Sequence, residues 1–290
     1  MRTNIKIFFL FATLAFAKRI DAQLANPGYG VLDLAKDTSV NKKDLQGRKQ
    51  GLWREIQGSN MYEGRYLNDL KEGTWKMYLS TGMLNTIDDY AAGKKNGLSA
   101  EMKNTGYLRK QAFYKDDVLH GVYTLYNNSG RVEKEERYTM GKLDGLKRVY
   151  YPNGKLQEEC VYLNEQREGV SKWFFEDGKI SIEYNYKNGK LEGIQKEYVK
   201  GGILNTETEY LNNEKNGFYK EYHEDGKTIK MEGRNKQDKK SGIWKTYAKD
   251  GKTIIEQGEY KDDQKEGKWE VFDESGKLLR SEKFKTGKKL

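Results

Sequence analysis

Residues 141–184, GKLDGLKRVYYPNGKLQEECVYLNEQREGVSKWFFEDGKISIEY, alternate apolar and polar positions, meet a glycine, alternate again and then restate the phrase. A period of two, rich in aromatic and β-branched residues, predicts strands, and the short glycine-bearing stretches between them predict hairpins. One glycine recurs at Gly51, Gly73 and Gly97, then every 24 residues to Gly217, and after steps of 25 at Gly242 and Gly267. A second follows nine residues behind, from Gly82 to Gly276. The beat defines ten units of about 24 residues, each read as two antiparallel strands.

Within a unit, four apolar rows repeat: Leu98, Val122 and Ile194 after the first glycine; Tyr126, Tyr150 and Tyr198; Leu84, Leu108 and Leu156; and Tyr90, Tyr114 and Tyr162. Strict alternation places all four rows on one face, which is expected to exclude water, with Lys, Glu, Gln and Asn on the other. One hairpin cannot bury such a face alone, so neighbours must complete it. The expected fold is all-β: an elongated single-sheet array of antiparallel β-hairpins over 47–290, on the order of 100 Å long at roughly 4.8 Å per strand.

Composition agrees with an ordered but thin structure. Only 36% of the 290 residues are hydrophobic and 33% are charged, with a mean hydropathy of −0.99. Yet 21 Tyr, 10 Phe and 5 Trp exceed what a disordered chain carries. The first residues, MRTNIKIFFLFATLAFAKRIDAQ, combine a basic start, a short apolar run and small residues, the pattern of a secretory signal peptide over 1–22. Cleavage follows either Ala17 or Ala22, and a turn-rich lead-in occupies 23–46. The expected location is therefore periplasmic or secreted. The single cysteine, Cys160, forms no internal disulfide and reads as a small apolar strand residue.

The units GTWKMYLSTG, GVYTLYNNSG and GIWKTYAKDGK resemble the MORN-repeat variant of bacterial proteins grouped as YwqK-family antitoxins. The resemblance spans about residues 47–287. It implies an open β-sheet scaffold for protein contacts, with membrane-lipid binding also proposed for MORN relatives.

Candidate chemistry is sparse. His120 and His223 occupy unrelated positions and read as solvated, and no His, Cys and carboxylate spacing suggests a metal site. The acid pairs Glu135/Glu136, Glu158/Glu159 and Asp262/Asp263 read as solvated charges, since neighbours on a strand face opposite ways. No cofactor, small-molecule substrate or nucleic-acid partner is expected, and the chain is not read as an enzyme. Trp53, Trp75, Trp244 and Trp269, on the polar face near the two ends, are the candidate partner-binding residues, as exposed anchors; the alternative is that they cover the sheet ends. Lys76, Arg148, Lys172, Lys196, Lys220 and Lys245 form a basic row that would suit an anionic membrane or envelope surface, partly offset by Glu183, Glu207 and Glu221. A non-catalytic scaffold for a protein partner, possessing an antitoxin-like role in its narrowest form, is the leading expectation; an anionic-surface module is the runner-up.

Overall fold

A computed structural model describes residues 39–290. The expected signal peptide over 1–22, and the expected lead-in as far as residue 38, lie outside the described residues. The chain forms one long, open antiparallel sheet in which each strand pairs with strands adjacent in sequence, from Lys49–Gln57 and Asn60–Leu67 to Gln264–Phe272 and Leu278–Lys285. Each unit is a hairpin, as the glycine beat predicts.

Two turn types alternate along the sheet. Between units, two-residue turns such as Asn68-Asp69 (φ 52° and 64°) and Asp262-Asp263 (φ 50° and 66°) place both residues at positive φ, the type I′ geometry that matches strand twist. The second residue often ties back to the preceding turn: Asp263 accepts the Lys240 N–H at 2.7 Å, and Asp69 accepts the Lys49 N–H at 2.7 Å. Within each unit after the first, whose strands meet at the two-residue turn Gly58-Ser59, the loops are longer; Leu79 N–H donates to the Met83 carbonyl at 2.9 Å and Gly82 N–H to the Leu79 carbonyl at 2.8 Å.

The recurring first glycine is not a turn. Gly97, with φ 117°, lies inside the strand Lys94–Met102 at a bulge: Tyr90 opposes Lys95 and Asp88 opposes Ser99. A second, one-residue bulge follows each longer loop. Tyr78 opposes Leu84 but Met77 opposes Thr86, leaving Asn85 extra.

That extra residue corrects the expected division of faces. One inserted residue moves every later side chain of the strand to the other side. The Leu84 row therefore stays with the Tyr126 and Tyr150 row, while the Tyr90 row crosses to join Trp75. The most buried face is the one carrying the tryptophans.

Candidate functional site

On the tryptophan face the four indoles are core, not anchors. Trp53, Trp75, Trp244 and Trp269 are 8%, 3%, 4% and 5% exposed. Each indole N–H is bonded to backbone: Trp75 donates to the Arg65 carbonyl at 3.0 Å, Trp244 to Arg234 at 3.2 Å, Trp269 to Glu259 at 3.0 Å and Trp53 to Gln50 at 3.1 Å. The expectation of exposed partner-binding rings is thereby corrected, because neighbouring side chains and backbone cover these rings. Their neighbours explain the burial. Gly64, Gly233 and Gly258 lie beneath Trp75, Trp244 and Trp269, where any Cβ would overlap the ring. These are the described glycines with no positive φ, kept for space and not for a turn.

A cation completes each stack. Lys71 Nζ lies 4.4 Å from the Trp75 ring and 4.9 Å from Tyr90; Lys240 lies 4.3 Å from Trp244 and 5.1 Å from Tyr260. Lys265 sits 3.8 Å from Trp269, and Arg167 stacks 4.9 Å from Trp173, which takes the role two residues further along its strand. Burial pulls the Lys71 amine below the usual lysine range. Cations over aromatic faces are attracted by the ring quadrupole, so these lysines contribute to the sheet.

In the middle of the chain charges replace tryptophans on this face. Lys147 lies 3.3 Å and Arg167 2.5 Å from Glu158, beside the fully buried Cys160, whose thiol is pushed up to about 11 by burial and then by the Glu158 charge. Cys160 is a buried strand residue, as its sequence context suggests. Glu136 accepts from the Tyr138 hydroxyl at 3.0 Å and pairs with Lys134 at 3.0 Å. Glu136 and Glu158 are 7% and 9% exposed, which corrects the reading of both acid pairs as solvated. Each carboxylate is held by cations, the arrangement of a structural pair rather than a proton shuttle.

The opposite face carries the basic row, and it is interleaved with acid. Glu135 opposes Arg148, which opposes Glu159, and the alternation continues strand by strand through Lys172, Glu183, Lys196, Glu207, Lys220 and Glu232 to Lys245. Arg148 lies 2.8 Å from Glu159, Lys172 3.5 Å from Glu183 and Lys196 3.2 Å from Glu207. Tyrosine hydroxyls cap the acids: Tyr150 donates to Glu135 at 3.0 Å, Tyr222 to Glu207 at 2.7 Å and Tyr247 to Glu232 at 2.7 Å. Burial, then the carboxylate, pushes Tyr150 and Tyr247 up to about 12. Over this stretch the row is a ladder of both signs, not a cationic strip. Glu221 belongs to the other face, where it pairs with Lys230 at 2.6 Å. Two residues from the ladder stand the exposed aliphatic side chains Val161 (41%), Val170 (43%), Ile194 (39%) and Ile243 (57%), with Asn185, Glu209 and Glu259 at the same level on neighbouring strands.

At the loop margin the unit from Gly193 meets a loop one residue longer, His223–Thr228, and a groove of about 480 Å³ opens between them. Val199, Ile203, Leu204 and Tyr222 supply its apolar wall, with Glu224, Lys230 and Lys249 at its rim. Asp225 is held below the usual carboxylate range, near 2, by the Thr228 hydroxyl and by the N–H groups of Lys227 and Thr228. His223 is not merely solvated: its Nε2 lies 2.9 Å from the Ala248 carbonyl of the next loop. His120 is likewise structural, its Nδ1 accepting the Met140 N–H at 3.3 Å where other units use Glu168 on Asn188 at 2.8 Å or Glu266 on Thr286 at 2.7 Å. Among the described residues no group of His, Cys, Asp and Glu is placed to hold a metal ion. The sequence signal for the buried tryptophans was the glycine eleven residues ahead of Trp75, Trp244 and Trp269; the groove, set by one inserted loop residue, left only the 25-residue step.

These features define a repeat protein whose hairpins extend one open sheet. Three stretches, 143–164, 167–188 and 265–286, match the profile of the MORN repeat variant, so the chain carries MORN-variant repeats. Each match begins at the position two residues ahead of the bulge glycine, occupied by Leu143, Arg167 and Lys265. No curated protein matches the chain. Among solved structures, a crystal structure of a mutant of S. aureus TarM in complex with fondaparinux, alpha-GlcNAc-glycerol and UDP is similar at 12% identity over 53% of this chain, with a TM-score of 0.25. The chain spans 27% of the length of that structure.

Proposed function

We propose that this chain is an exported, non-catalytic repeat scaffold that holds a protein partner, an antitoxin or immunity role being the narrowest form of that reading. The observation that carries it is the groove at the loop margin, where exposed Val199 and Ile203 stand beside rim charges of both signs. A groove with one apolar wall and charged residues around it suits a partner's amphipathic side chain, such as the aromatic and Arg anchors of protein interfaces. With the tryptophans buried, partner contact passes to these loop residues.

A photo-reactive residue at Lys249 tests it in envelope extract from the producing cell. One protein cross-linked by the wild-type background, and lost with Ile203→Glu, supports the scaffold. No protein cross-link, or one indifferent to Ile203→Glu, overturns it.

A second reading, an anionic envelope or lipid surface module, is favoured by the exposed Lys283, Lys285, Lys288 and Lys289 of the last hairpin. Binding to anionic vesicles that falls as salt rises would support it, because screening weakens exposed charges. Vesicle binding indifferent to salt, or none, would remove it.

A further inference from the structure

We propose that the ladder face is a self-association surface on which a second copy of this chain packs, related by a two-fold axis between Glu183 and Lys196. The ladder from Glu135 to Lys245 has ten members of strictly alternating sign, each the cross-strand neighbour of the next. An alternating row with an even number of members meets itself in opposite sign when reversed about its midpoint. Glu183 then faces the partner's Lys196, Lys172 the partner's Glu207, Glu159 the partner's Lys220, and Arg148 the partner's Glu232. A two-fold interface requires this self-complementarity, since one patch must serve both sides.

Two further features favour a copy over an unrelated protein. Two identical chains share one strand spacing and one hand of twist, so the match extends over several strands about the axis rather than one contact. Beside the ladder, Val161, Val170 and Ile194 are 41%, 43% and 39% exposed on the same side of the sheet, and packing against a copy would take them from water. The ladder charges are already paired within the chain, so they set register and orientation while Val161, Val170 and Ile194, with Asn185 on the strand between the last two, supply the attraction. This surface is separate from the loop-margin groove, and the proposal goes beyond the partner reading without resting on it.

Sedimentation equilibrium of the full chain across a wide concentration range is the first test. A reversible species of twice the 33.7 kDa chain mass is expected. Ile194→Arg, at a half-exposed strand position, should weaken association about tenfold or more while the circular dichroism spectrum stays unchanged. Ile203→Glu, in the groove, should leave it intact. Carbodiimide treatment of mixed isotope-labelled and unlabelled chains should then yield inter-chain links between Glu183 and Lys196. A chain monomeric at every concentration, a dimer indifferent to Ile194→Arg, or inter-chain links confined to other surfaces would each overturn the proposal.

Discussion

The indole of Trp244 lies against the backbone of Gly233, its predecessor by eleven residues, with no room for a single carbon between them. Gly64 with Trp75 and Gly258 with Trp269 repeat the pairing. Midway along the chain, smaller residues share the same volume: Cys160 lies on the strand next to Ser171, and both are fully buried. Size on one strand trades against size on the next, as close packing demands.

Gly233→Ala should therefore destabilise the chain by roughly 1–3 kcal/mol through overpacking. Adding Trp244→Ser to it should recover part of that loss, whereas Trp244→Ser alone should cost stability. Urea denaturation of the two single variants and the double variant measures the coupling.

The caged lysines give a graded expectation. Lys240→Leu, which copies the residue at the equivalent positions Leu119, Leu143 and Leu191, should change stability little. Lys240→Glu places an anion between the Trp244 and Tyr260 rings and should cost about 1–2 kcal/mol. The order of the thermal midpoints, Lys and Leu close together with Glu lowest, checks this.

Alkaline pH should unfold the protein in a defined window. Burial and neighbouring carboxylates raise Tyr138, Tyr150, Tyr219 and Tyr247 to about 12 from an ordinary 10. The unfolded chain loses these protons first, so their contribution to stability is whole below pH 10 and drains away as pH rises from 10 through 12. Ultraviolet titration should show a set of phenols ionising late, together with unfolding. Tyr150→Phe should make stability less dependent on pH in that window.

Cys160 should resist thiol reagents at neutral pH in the folded chain, since its side chain is fully buried and its ionisation is pushed up to about 11. Labelling should track global unfolding in urea. Fast labelling of the native protein would contradict its placement.

His120 provides a test of the turn acceptor. His120→Glu, the choice of the units with Glu168 and Glu266, should preserve or raise stability. His120→Ala leaves the Met140 N–H without its acceptor and should cost on the order of 1 kcal/mol, read from the thermal midpoint.

The hairpins, their number and their beat were legible in the sequence because period and glycine spacing are local signals. The faces were not. Counting by twos from Leu84 to Tyr90 assumes an unbroken strand, and the extra Asn85 reverses the count midway. Trp75 consequently read as a surface residue when it shares a face with Tyr90 and the Lys71 amine between them. The basic row was visible, but its interleaving acids lie on neighbouring strands, so only the register joins Arg148 to Glu135 and Glu159. The groove depends on how two successive loops lean together at Gly226 and Ile203, which pairing rules do not encode.

Strands that pair only with their neighbours in sequence also make the molecule a mechanical chain of near-equal links. Tension applied across Lys49 and Lys285 would reach each hairpin in series, with no distant strand among the described residues to lock the whole against it. Under such load the chain is expected to yield link by link, lengthening in steps while the links still folded keep their shape.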